Sequence, residues 1–177
     1  MIATAGLSLE QAPPIDLPLR FFLTAPLFAI AAGLLLAAQP DAILATRWSP
    51  AALAATHLLT VGYLGQIMVG ALLQMLPVLG GVPLPAVRPV GTAVHLSLSA
   101  GAVLLALGFL RGGSIALAAG AATAGLAFTL FAATALTALL RARSAGANRR
   151  GFGIVMLALL ITIALGLLLS AAPVSYT

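Results

Sequence analysis

THLLTVGYLGQIMVGALLQMLPVLGG, residues 56–81, places a histidine (His57), a tyrosine (Tyr63) and two glutamines (Gln66 and Gln74) in a run that otherwise has the character of hydrocarbon. Polar side chains in such a run must find partners, because apolar surroundings supply none. Either other parts of the protein cover them, or they hold something.

The chain around this run is 62% hydrophobic and only 6% charged, with a mean hydropathy of +1.19. A water-soluble domain needs far more charge to cover its surface, so the composition is that of an integral membrane protein. A helix needs about 20 apolar residues to span the hydrocarbon. Runs of that order at about 20–38, 50–78, 92–110, 114–140 and 151–172 predict about five transmembrane helices in a single all-α domain, residues 1–177. Gln39-Pro40-Asp41, the Pro83/Pro85/Pro89 stretch, Arg111-Gly112-Gly113 and Arg141–Arg150 with Gly146 read as the loops between them. Long apolar runs rather than short alternating strands exclude a membrane β-barrel.

The charges lie between the runs. All eight basic residues are arginines. With five spans, Arg20, Arg88, Arg141, Arg143, Arg149 and Arg150 fall on one side, and Arg47 and Arg111 on the other. The positive-inside rule then puts the N-terminus in the cytoplasm of a bacterial-type inner membrane. Scattered arginines without a basic face and stacking aromatics exclude a nucleic-acid partner. Absence of cysteine excludes disulfides, thiolate metal sites and covalently attached c-type haem. The N-terminal MIATAGLSLEQAPPIDLPLR lacks a basic region leading into an apolar core, so the first apolar run is expected to be retained rather than cleaved as a signal peptide.

At 100° per residue, His57 shares a stripe of the second helix with Leu64, Met68 and Met75, whereas Thr56, Tyr63, Gln66, Gly70 and Gln74 cluster on another face. The glutamine face is expected to meet another helix through hydrogen bonds. Gly62, Gly65 and Gly70 offer places where something flat or bulky can approach the backbone. His57 lies about 10 Å along the helix from Pro50, inside the membrane near the external face. Its imidazole either packs against a neighbouring helix or ligates a haem iron, for which neutral imidazole is the commonest axial ligand. His95 is the only other histidine. Antiparallel helices put it roughly 20 Å away in membrane depth, where it reads as an interfacial histidine bridging near a helix start. Met68 and Met75 stand about 16 Å and 27 Å along the helix from His57, too far to share its iron. In the fourth helix, Ala118–Gly125 is a dense run of small residues, suited to close packing within or between protomers.

LRFFLTAPLFAIAAGLLL followed by THLLTVGYLGQIMVGALLQMLPVLGG resembles the first two helices of NnrS-type membrane proteins of the nitric oxide response, and half-length relatives of haem-copper oxidase subunit I. The resemblance covers about residues 18–110. It implies a b-type haem held at His57, on the external side of an even-numbered helix, and a role in electron transfer, haem handling or nitric oxide response. An oxidase or nitric oxide reductase centre needs further histidines, and catalytic acid–base work in the membrane needs carboxylates. This chain has two histidines, and Glu10, Asp16 and Asp41 are expected outside the spans.

The residues together predict a non-covalent cytochrome b-like haem contacted by His57, Gly62, Leu64 and Met68. Arg47, ahead of Arg111, is placed to receive the propionates or to anchor the chain at the interface. A six-coordinate iron would then take its second ligand from another copy, in a homodimer or a trimer. A redox partner or respiratory complex completes the expected set of partners. The rival readings are a haem-free structural or assembly subunit of a respiratory complex, and a small transporter or channel lined by Tyr63, Gln66 and Gln74.

Overall fold

The computed structural model describes residues 9–81, 83–141 and 147–171, and among them every regular element is helical. A 3₁₀ turn, Leu9–Gln11, precedes α1 (Asp16–Ala38) and the short α2 (Pro40–Ala45). The second apolar run is one continuous rod in three parts: α3 (Pro50–His57), a π-helix (Leu58–Gly65) and α4 (Gln66–Gly80). The long helices α5 (Val87–Arg111), α6 (Ser114–Arg141) and α7 (Ala147–Ala171) complete the bundle. Asp16–Ala38, Pro50–Val78, Val87–Arg111 and Ser114–Arg141 are long and apolar enough to cross a membrane, and α7 adds the shorter apolar stretch Gly153–Leu169. The chain is a multi-pass membrane protein. Its outer surface carries Leu23, Leu27 and Leu34 of α1 and Leu157, Leu168 and Leu169 of α7, all exposed as lipid-facing side chains should be.

The second and fourth runs start where the sequence puts them, at Pro50 and Ser114, but the first, third and fifth start four or five residues earlier. α1 begins at Asp16 rather than near 20, because the carboxylate reaches Arg20 one turn on and Arg88 of α5, which keeps its charge satisfied inside the first helical turn. Asp16 is therefore not outside the first long helix. α5 begins at Val87 rather than 92 and contains Pro89, which the first turn tolerates because its N–H would be unpaired there anyway. α7 begins at Ala147, so Arg149 and Arg150 are helical rather than in the loop. Pro40 opens a short helix at its first position instead of marking an irregular turn. Arg143, Gly146 and residues 1–8 lie outside the described residues.

The helix ends have local causes. Ser49 caps α3, its hydroxyl accepting from the Ala52 N–H at 3.1 Å, with Pro50 at the first position. α5 stops at Gly112, whose φ of 65° only glycine adopts at no cost, and the Gly113 N–H reaches back to the Gly108 carbonyl at 3.1 Å. This is the break that divides α5 from α6.

Packing depends on small residues meeting backbone and phenylalanine. α5 and α6 run antiparallel: a Cβ on Gly101 would lie 2.8 Å from the Ala124 nitrogen, one on Gly120 2.6 Å from the Leu105 nitrogen, and one on Gly108 2.8 Å from the Leu117 nitrogen. The small residues of α6 thus serve contact within the protomer. α1 closes against the second rod through Phe21 over Gly70 and Phe28 over Gly62. The larger core joins Phe21, Val69, Leu73, Leu98 and Phe131 with Met156 of α7. A smaller one gathers Phe28, Ala32, Ala54, Leu58, Ala102 and Ala106.

The α5–α6 contact predicts a large asymmetry between glycines. Gly120→Val should destabilise the protein by about 1–3 kcal/mol, because the added atoms meet fixed backbone. Gly33→Ala on the open face of α1, with nothing within 4 Å, should be neutral or stabilising by about 0.5–1 kcal/mol. Thermal melting followed by circular dichroism in detergent reads both.

Candidate functional site

The π-helix decides what surrounds His57. Thr56 and Thr60 donate their hydroxyls to the carbonyls of Ala52 and Thr56, a local competition with the backbone ladder that bends helices. From Leu58 the chain widens to i→i+5 turns and stays so to Gly65, beside Phe28 and Phe128, which lie against Gly62 and Gly65. Each residue in the wider turn advances through less than 100°, which turns Leu64, Met68 and Met75 relative to His57 from where a regular α-helix would set them. Leu64 and Met68 are 48% and 56% exposed on the outer surface. The flat group that Gly62 admits is the ring of Phe28, which a Cβ would approach to 2.5 Å.

His57 itself is half-buried at the last turn of α3. Its Nδ1 lies 2.8 Å from the Leu53 carbonyl. A carbonyl only accepts, so Nδ1 carries a proton here, and Nε2 is the ring nitrogen left to accept or to coordinate. Tying one ring nitrogen to a backbone carbonyl while the other is left to coordinate is the arrangement of metal-ligating histidines. Phe109 of α5 lies against the ring, with centroids 4.8 Å apart and planes at 35°.

His95 has the opposite tautomer. Thr24 donates its hydroxyl proton to the Arg20 carbonyl at 2.8 Å, so at the 2.9 Å contact with His95 it is Nε2–H that donates to Thr24 Oγ1. Phe21 meets the ring edge-on at 5.0 Å. This is an interhelical bridge near the start of α5. Because His57 packs on Phe109 and His95 lies deeper along the same helix, the rise from His95 to Phe109, about 21 Å, separates the two imidazoles.

At the His57 end, Arg47 and Trp48 occupy the turn between α2 and α3, the guanidinium 5.0 Å from the indole centroid. Arg111 ends α5 two residues beyond Phe109 and is exposed. Arg47, Arg111 and His57 thus share one end of the bundle, and the contact made by Arg47 is to Trp48. Among the described residues no three histidine, aspartate or glutamate side chains converge as a metal site.

Gln66 is fully buried and donates Nε2–H to Ser99 Oγ of α5 at 2.8 Å, an interhelical bond of the kind expected for this face. Its Oε1 and that of Gln74 are buried without partners. Sequence reasoning passed over Ser99, Thr24 and Phe109. The spacing of His95 and Ser99, one turn apart on α5, was the available signal for a polar stripe facing α1 and α4.

Comparisons with protein-family models, with curated proteins and with solved structures find no match. The likeness to NnrS-type proteins and to oxidase subunit I therefore stands on the residues quoted above.

Ser99→Ala should cost about 1 kcal/mol by leaving the Gln66 amide without its acceptor. The double variant Gln66→Leu/Ser99→Ala should recover most of that loss, since neither position then carries an unmatched polar group. A double-mutant cycle on unfolding in detergent measures the coupling.

Proposed function

We propose that the chain is a membrane haem protein that binds b-type haem through Nε2 of His57 and serves electron transfer, haem handling or nitric oxide response. The observation that carries this reading is the Nδ1–H bond from His57 to the Leu53 carbonyl, which fixes the ring and directs the other ring nitrogen away from its own helix. The His57 imidazole would hold the iron, and Arg47 and Arg111, both exposed at that end, would meet the propionates. Bound haem supplies one-electron chemistry. The protein holds the imidazole in one tautomer and excludes water with Phe109 and the surrounding apolar side chains.

His95 cannot complete the coordination, because the rise along α5 puts it about 21 Å from the His57 ring that packs on Phe109. A second ligand comes most simply from His57 of another copy, which makes the active unit a homodimer sharing one haem, with a trimer as the alternative. The orientation with the arginine-rich end in the cytoplasm of an inner membrane belongs to the same reading.

One observation favours a different function. Phe28 fills the approach to Gly62, and Leu64 and Met68 face outward, so the protein could instead be a haem-free structural or assembly subunit whose exposed apolar faces dock on a larger membrane complex.

The absorption spectrum of detergent-purified protein, oxidised and then reduced, separates the two. The haem reading expects a b-type spectrum that His57→Ala abolishes and His95→Ala retains, with one haem per dimer by native mass spectrometry. Colourless protein after haem reconstitution, or an unchanged spectrum in His57→Ala, overturns it.

A further inference from the structure

The most highly charged part of the described structure lies at the end away from His57. Asp16 at the start of α1 accepts from Arg20 Nη2 at 3.1 Å, one turn along the same helix. It also takes both terminal nitrogens of Arg88 on α5, Nη2 to Oδ1 at 3.2 Å and Nη1 to Oδ2 at 3.3 Å. Arg20 Nη1 reaches on to Thr92 Oγ1 at 3.5 Å. One carboxylate thus holds two guanidiniums side by side across the α1–α5 seam, and one positive charge remains uncompensated. All three side chains keep about half or more of their surface exposed, so neither guanidinium is sealed off by its contacts to Asp16 and Thr92.

Below each arginine the surface becomes apolar. On α1, Leu23 and Leu27 follow Arg20 on the same face and are 66% and 63% exposed. On α5, Leu96 stands two turns beyond Arg88 and is 61% exposed. A paired cation above an apolar stripe on α1 and an exposed leucine on the neighbouring α5 matches a phosphate attached to acyl chains. Basic pockets between helices at the membrane surface recognise anionic head groups through the same chemistry.

We propose that Arg20 and Arg88, held together by Asp16, form a binding site for the phosphate of an anionic phospholipid whose chains lie along Leu23, Leu27 and Leu96. Asp16 is a positioning residue that fixes the distance between the two guanidiniums while leaving the site net positive. The exposed leucines favour a lipid over a soluble phosphate, which would gain nothing from them. The bound lipid would brace α1 against α5 at the seam that His95 and Thr24 bridge one turn deeper. This site is independent of the haem reading.

The test is lipid titration of delipidated full-length protein in detergent, read by native mass spectrometry and by thermal melting. Phosphatidylglycerol should be retained and raise the melting temperature, whereas phosphatidylcholine and inorganic phosphate should do neither. Arg88→Gln should weaken phosphatidylglycerol binding about fivefold, on the scale of one arginine at a membrane surface. Arg111→Gln, which removes the same charge at the opposite end, should leave it unchanged. Equal retention of the two lipids by the wild-type protein overturns the proposal without any variant. So does stabilisation by inorganic phosphate to the same degree, which would identify a soluble anion site, or an equal loss in Arg88→Gln and Arg111→Gln, which would reduce the effect to overall charge.

Discussion

Helices in lipid gain no hydrophobic free energy by meeting one another, because the acyl chains they displace are as apolar as leucine. What holds this bundle is contact close enough for dispersion to matter, and glycine provides it. Gly101, Gly108 and Gly120 bring the backbones of α5 and α6 within reach of each other, and Gly62 and Gly70 let α1 lay Phe28 and Phe21 on the second rod. Once α5 is fixed between α6 and the α1/α3 pair, it carries a partner for each polar group of interest: Ser99 for Gln66, Phe109 for His57, and His95 for Thr24.

The two histidines show how the same side chain acquires different chemistry from its helix position. His57 reaches back to a carbonyl of its own helix, which spends the Nδ1 proton locally and leaves Nε2 as an acceptor or ligand. His95 gives its Nε2 proton to Thr24 of α1 and packs on Phe21, so its bond ties two helices together. The threonine that receives it has given its own proton to Arg20, which forces the direction of the bond. Neither tautomer is a property of the histidine alone; each is set by a neighbour with only one way to bond.

The architecture was legible in the sequence because long apolar runs and their breakers record the span requirement directly. Gly112-Gly113 divides α5 from α6 where the sequence puts the break, and Ser49-Pro50 starts the second rod. The interhelical bond of Gln66 was legible too, and Ser99 supplies it, whereas the Oε1 of Gln74 on the same face is buried without a partner. The surroundings of His57 were not legible. They involve Phe109 of α5 and a π-helix seated beside Phe28 and Phe128, tertiary features that 100° periodicity does not contain. The early start of α1 was hidden for a similar reason. A charged residue reads as a loop until its partners, Arg20 on the next turn and Arg88 on a helix far along the chain, are known to surround it.

The same π-helix links the two ends of the molecule. Above it, α3 presents His57 beside Phe109, and below it, α4 turns Gln66 and Leu73 into the core shared with α5 and α6. An uninterrupted α-helix would set the phase of α4 by that of α3, so the direction of His57 and the burial of Gln66 could not be adjusted separately. The wider turn between Leu58 and Gly65 uncouples them. Gln66 can then be completely enclosed while His57 stays at a half-open surface, next to a turn that carries Arg47 and Trp48. A departure from regular helix directly after a histidine with a free nitrogen is thus the local feature that lets one rod serve both packing and an accessible site.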